Sequence, residues 1–312
     1  MIAAVVGSGL IGRSWAIVFA RGGATVRLWD QDPGQVERAL STIRQSLDDM
    51  AAAGLVSDPG AVAARISGAA TLEAAVSDAG FVQENIAERA EPKQALFATI
   101  ETLVNDDTIL SSSTSAILPS IIFGGLRTRH RCIVAHPMNP PHLAPIVELC
   151  GADFTATGAI ETARQFMTDC GMVPVTVKRE IDGFILNRLQ LAVLNEAFRL
   201  IAEGYVSADD LDKTVKDGLA LRWNFMGPIE TIDLNAPGGV TDYLARYGET
   251  IRRIGVQQSQ AEPWPEDIGL QLDAERRSIV PRDALAEAQA WRDRRLMALT
   301  SHKAAASKTF PR

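Results

Sequence analysis

The chain has 312 residues, 46% of them hydrophobic and 22% charged, with a net charge of −7. That is the make-up of an ordinary soluble globular protein, long enough for one large or two modest domains with a well-buried core. An acidic balance with no long like-charge block leaves a nucleic-acid partner no electrostatic footprint.

The first twenty residues are apolar, but Gly7, Gly9, Gly12 and Arg13 interrupt them and no basic segment precedes them. They therefore read neither as a signal peptide nor as a membrane span. Residues 3–6 form a first strand, followed by a glycine turn and a helix through Ala20 that stops at Gly22 and Gly23. Residues 24–30 read as a second strand. Asp32 then caps a helix that carries Pro33 in its first turn, where proline is tolerated. Further short strands are expected at 65–71, 81–85, 108–113, 131–135, 146–149 and 173–178. Strands alternating with helices imply a doubly wound, Rossmann-type parallel sheet, an α/β class. Past Lys178 the pattern changes. Residues 183–204 are apolar nearly all round, which predicts a buried helix. The remainder is helical with loops, so the chain divides into an α/β nucleotide-binding domain at 1–180 and an all-helical C-terminal domain at 181–312. Residues 259–285, with Pro263, Pro265 and Pro281, are expected as loops, and the last dozen residues as disordered. Cys132, Cys150 and Cys170 lack CxxC spacing, so neither a disulfide framework nor a metal site is expected, and a reducing cytoplasm is the expected compartment.

Two segments carry chemistry. Gly7, Gly9 and Gly12 stand in GxGxxG order after a strand and open a helix. This spacing lets the backbone at Gly7, Gly9, Leu10, Ile11 and Gly12 approach a pyrophosphate at a helix N-terminus. Asp30, eighteen residues past Gly12, ends the second strand, where a carboxylate accepts hydrogen bonds from a ribose diol and repels a 2′-phosphate. NAD is thus the expected cofactor. The second segment is HPMNPPHLAPIVE, residues 136–148. Its four prolines forbid a helix, so it is a loop that leaves one strand and re-enters another. Such a return can set Glu148 beside His136 at the strand end where doubly wound sheets bind ligands. The carboxylate would fix the imidazole tautomer and suit it to move a proton.

These segments, with SSSTSAILPS (111–120) and DGFILNR (182–188), resemble the signatures of the L-3-hydroxyacyl-CoA dehydrogenase superfamily. RWNFMGPIETIDLNAPGG (222–239) and AQAWRDRRLMAL (288–299) are similar to its lambda-crystallin branch, which includes L-gulonate 3-dehydrogenase. The resemblance implies an NAD-dependent oxidoreductase with His136 as general base and Glu148 as its partner. It implies that Ser115 and Asn187 hold the reacting oxygen, and that Glu88, Lys93, Ser113 and Asn139 lie on the cofactor side. It also implies a homodimer built on the helical domain, the domain expected to bind substrate. Each residue has a plainer alternative: Ser115 could cap the following helix, Asn187 sits in an apolar helix where an amide needs some partner, and Glu88 with Lys93 could be a pair on a solvated face. Ser113-Thr114-Ser115 stands where acyl-CoA dehydrogenases carry Asn-Thr-Ser, a departure toward the lambda-crystallin branch.

Coenzyme A carries phosphates that its binders grip with cations. Residues 33–70 have no lysine and only Arg38, Arg44 and Arg65, which favours a small free hydroxy acid such as L-gulonate. Arg222 is the candidate to grip its carboxylate, unless its stem simply packs on Trp223. A 3-hydroxyacyl-CoA or carnitine dehydrogenase is the alternative within the family. A non-catalytic, crystallin-like NAD-binding protein is the alternative outside enzymes.

Overall fold

The structure is a computed structural model that describes residues 1–260 and 263–311; the expected loop at 261–262 lies outside them. Eight strands form one sheet: β1 Ile2–Val6, β2 Thr25–Trp29, β3 Ile66–Gly68, β4 Phe81–Glu84, β5 Ile109–Ser112, β6 Cys132–Pro137, β7 Ile146–Cys150 and β8 Val173–Val177. Their order is β3-β2-β1-β4-β5-β6-β7-β8. All neighbours are parallel except β6 and β7, which run antiparallel. Every expected strand is present, and β3 is the one most shortened.

Helices α1 (Leu10–Arg21), α2 (Pro33–Ala52), α3 (Pro59–Ala63), α4 (Leu72–Val76), α5 (Ala90–Ile100), α6 (Pro119–Phe123) and α7 (Thr157–Asp169) connect the strands. Successive strand residues feed opposite faces. Ala3, Val5, Phe81, Ile133 and Ala135 join one apolar cluster, with Trp15, Phe19 and Phe166. Ala4, Val6, Val82, Cys132 and Val134 join the other, with Phe97 and Phe123. Helices cover both faces, so strands can be apolar throughout, as parallel sheets demand. Trp15 stacks on Phe19 at 5.1 Å, and Phe97 meets Phe123 edge-on at 4.9 Å. Burying each such side chain contributes about 1.5–3 kcal/mol.

The chain forms two compact units, Leu189–Gln289 and the rest. This differs from a single boundary at 180/181, because the last helix returns to the first unit. That helix drives Met297 and Leu296 into the sheet's core, and Thr300 donates to the Leu143 carbonyl at 3.4 Å. The second unit holds most of α8 (Leu186–Ala202), then α9 (Ala208–Lys213), a π-helical turn (Thr214–Leu219), α10 (Ala220–Trp223), α11 (Pro228–Leu234), α12 (Gly239–Ser259) and α13 (Ile268–Ile279). Helix α14 is Leu285–Thr309.

Three expectations are corrected. Helix α8 is not buried: Leu189, Leu191 and Val193 are 61%, 52% and 42% exposed, and Ala197 is its one buried residue. The apolar pattern was satisfied by no cover within the described chain. The stretch 259–285 is not all loop, since α13 occupies its middle. The last dozen residues are not disordered as far as Thr309; they continue α14, whose alanines favour helix. Among the described residues no helix is long and apolar enough to cross a membrane.

Candidate active site

At the end of β1 the chain turns through Gly7 at φ +90°, a conformation that favours glycine. A Cβ at Gly12 would lie 1.8 Å from the Gly7 carbonyl oxygen, so α1 can pack on its own loop only without a side chain there. A Cβ on Gly9 would meet nothing within 4 Å: this glycine faces open space. No side chain caps α1, which leaves the N–H groups of Leu10, Ile11 and Gly12 and the positive helix end for an anion. The loop fits the pyrophosphate of NAD. Beside it, the Ser8 N–H and hydroxyl donate to Asp30 Oδ2 at 2.7 and 2.9 Å, and the Asp32 N–H donates to Oδ1 at 3.1 Å. Asp32, not Asp30, caps α2, accepting from the Gly34 N–H at 2.9 Å, and its other oxygen holds the Arg38 guanidinium at 3.0 Å.

The ends of β4 and β5 are polar, yet buried, and in register: Gln83 faces Ser111 and Glu84 faces Ser112. Buried polar groups need partners. The Ser113 hydroxyl accepts from the Trp15 indole at 2.9 Å and the Gln83 amide at 2.7 Å, and donates to Asn85 at 2.7 Å. That hydroxyl, expected on the cofactor side, is committed within the protein. Lys93 is not on a solvated face: at 1% exposed it pairs with Glu84 at 2.7 Å and lies 3.6 Å from Glu88. Glu88 accepts on Oε1 from the Thr114 hydroxyl and the Ser115 N–H, both at 2.7 Å. Burial works against the Glu88 carboxylate, but these hydrogen bonds and the Lys93 charge outweigh it and hold the carboxyl below its usual range. For Glu84 burial wins, and its carboxyl is raised despite Lys93.

His136 and Glu148 are direct partners in the β6–β7 ladder. Imidazole Nδ1 lies 2.9 Å from Glu148 Oε2, with both side chains buried. Glu148 Oε1 accepts from the N–H groups of Ile185 and Leu186, at 2.8 and 3.0 Å, where α8 begins. The turn that aims those groups puts Gly183 at φ +74° and Phe184 at φ +50°. Phe184 is fully buried, its ring 5.6 Å from the imidazole. An acceptor-only carboxylate on Nδ1 makes that nitrogen the N–H, and leaves Nε2 a lone pair. Ser115 does not cap α6, whose N-cap is Leu118; its hydroxyl donates to Glu88 at 3.2 Å. Asn187 stands in the first turn of α8 and donates to the Ser115 carbonyl at 2.9 Å, so the structure brings these two together. Asn139 is exposed and precedes a cis peptide bond to Pro140. Arg222 belongs to the second unit, exposed on α10.

Sequence reasoning missed Ser8, Trp15, Glu84 and Phe184. Only Glu84 had a readable signal, as a charge inside a strand of a sheet with both faces covered.

Residues 2–181 match the family model of the 3-hydroxyacyl-CoA dehydrogenase NAD binding domain, and residues 183–268 match that of the 3-hydroxyacyl-CoA dehydrogenase C-terminal domain. The chain is 45% identical over 308 residues to the lambda-crystallin homolog of Bos taurus, covering 96% of this chain and 95% of that one. It is 33% identical to an L-carnitine dehydrogenase of a Pseudomonas species, covering 95% and 92%. A solved structure of 5-formyl-3-hydroxy-2-methylpyridine 4-carboxylic acid 5-dehydrogenase, an NAD+-dependent dismutase, superposes with a TM-score of 0.82 at 27% identity, covering 96% of each chain.

Proposed function

The chain belongs to the 3-hydroxyacyl-CoA dehydrogenase family of NAD-dependent oxidoreductases acting on CH–OH groups, and from that premise we propose that it oxidises the 3-hydroxyl of a small free hydroxy acid, L-gulonate to 3-dehydro-L-gulonate. NAD, when bound, accepts the hydride. Gly7, Gly9, Leu10, Ile11 and Gly12 hold its pyrophosphate, Asp30 its adenosine ribose, Glu88 reaches its riboses with Lys93 paired behind it, and Asn139 lies on the nicotinamide side. His136 takes the hydroxyl proton on Nε2, and Glu148 offsets the charge that then develops on the ring. Both Glu148 oxygens are already engaged, so the acid can orient the imidazole with little reorganisation. Ser115 turns its hydroxyl from Glu88, which keeps the Ser115 N–H, to the reacting oxygen, and Asn187 retains one N–H for it beyond its bond to Ser115.

The observation that carries this chemistry is the 2.9 Å His136–Glu148 contact that leaves Nε2 over. Against a CoA thioester stands the state of the few cations in 33–70: Arg38 is held by Asp32 at 3.0 Å and Arg65 by the Ala61 carbonyl at 3.3 Å. Arg222 is proposed as the fork for the substrate carboxylate. The uncovered apolar faces of the second unit support a homodimer, and the three free, buried cysteines support a reducing cytoplasm.

The test is a set of initial rates with NAD and, in turn, L-gulonate, L-carnitine and 3-hydroxybutyryl-CoA. The highest kcat/KM is expected for L-gulonate, and a higher value for either of the others would reassign the substrate. His136→Gln should lower kcat by roughly 100- to 10,000-fold with NADH binding retained. NADH binding with no turnover on any of the three would favour a non-catalytic protein.

A further inference from the structure

Glu84 and Lys93 form an ion pair at 2.7 Å with side chains 0% and 1% exposed. Taking two such charges out of water costs several kcal/mol per ion, so a buried pair is weak support for stability by itself. What surrounds it gives it another use. Every contact to the Glu84 carboxylate is a donor: the Lys93 ammonium and the Ile86 N–H (2.6 Å) on Oε1, and the Ser112 hydroxyl (2.5 Å) on Oε2. The ammonium also donates to the Ile86 carbonyl at 3.2 Å and faces Glu88 Oε2 at 3.6 Å. The other Glu88 oxygen gathers the Thr114 hydroxyl, the Ser115 hydroxyl and N–H, and the Ala116 N–H. A continuous line of charge-assisted contacts therefore runs from the interior of β5 to the segment whose Ser115 carbonyl holds Asn187.

We propose that Glu84 is a positioning residue: it fixes the Lys93 ammonium beneath Glu88, and through Glu88 it sets Thr114–Ala116, so that one buried ion pair aligns the cofactor-side acid and the Ser115–Asn187 end. Its consequence for turnover rests on the roles proposed above for Glu88 and Ser115, while the alignment itself does not. Charge-assisted networks polarise one another in a low dielectric, and a network missing one member loosens as a unit.

Glu84→Gln keeps the shape and removes the charge. Amide hydrogen exchange of the full chain, with and without NADH, reads the Ser115 and Ala116 N–H groups directly. Both should exchange roughly ten-fold faster in the variant while amides of β1 and β6 keep their protection. NADH affinity should fall by a comparable factor. Unchanged protection at 115–116 together with unchanged NADH affinity would overturn the proposal. So would acceleration by the same factor at every amide of the first unit, which is what a merely structural core residue would give. Should Glu84→Gln fail to fold, Glu84→Asp keeps the charge and withdraws it from Lys93 and Ser112 by one methylene. It should loosen the same two amides by a smaller factor, and no change there overturns the proposal equally. Failure of the functional reading looks different: no turnover by the unmodified chain on any hydroxy acid, with the exchange pattern intact.

Discussion

The two units bury their apolar side chains to very different degrees. In the first, aromatic and aliphatic residues seal both faces of the sheet. In the second, Ala197, Ala236 and Ile268 are the buried apolar residues among those described, while Leu221, Phe225 and Ile229 are 65%, 66% and 68% exposed. A unit of that size cannot offset the conformational entropy of its own chain with three small contributions. The lesson is that the sheet encodes its own completion, whereas the helices encode faces that need a cover.

The sharpest way to break this contrast is to truncate one aromatic on each side of it. Phe97→Ala, in the core beneath α5, should cost about 3–5 kcal/mol in urea melts at any protein concentration. The next largest effect lies with His142, also in the first unit. Burial pushes its imidazole down to about 4; Asp293 works against the shift, and Arg21 and Arg13 work with it. Above pH 6.5 the ring is neutral folded or unfolded, and stability does not respond. Between 6.5 and 4 only the unfolded chain takes up the proton, so stability falls as pH falls, by up to about 3 kcal/mol. Below 4 both states are protonated and the loss is complete. His142→Gln should flatten this slope in melts recorded from pH 7 to 4, and an unaltered slope would assign the acid sensitivity elsewhere.

Ser113→Ala comes third. It strands the Trp15 N–H, a Gln83 N–H and the Asn85 oxygen, and should cost about 1–3 kcal/mol, read as a lower Tm. The smallest intrinsic effect belongs to the second unit. Phe225→Ala should change the stability of a folded monomer by less than about 0.5 kcal/mol, yet shift sedimentation toward monomer and steepen the dependence of Tm on protein concentration. Indifference of the sedimentation profile to this change would remove Phe225 from any cover over the helices.

Most of the sheet was legible because strand and helix alternate with clear punctuation, and β-branched runs fall between Gly, Pro and Asp. The His136–Glu148 pair was legible because four prolines leave the chain one way to travel, out and back. The Glu84–Ser112 contact was legible only in part. Gln83 and Glu84 end a strand that must be covered on both sides, and Ser111 and Ser112 end the next one, but only the register shows that they meet. Phe184 could not be foreseen, since its part depends on a left-handed backbone that a bulky residue rarely adopts. Helix α8 misled for a physical reason. Apolarity all round says that a helix wants cover, and says nothing of which chain supplies it.

Cys132, Cys150 and Cys170 all lie in the first unit, and burial pushes each thiol up to about 12. Alkylating reagents attack the thiolate, so at neutral pH the folded sheet offers them nothing. Mass added by iodoacetamide would then time the opening of the first unit at β6, β7 and the end of α7, whatever the cysteine-free stretch 189–289 is doing. The molecule carries its own unfolding clock, and that clock reads only one of its two halves.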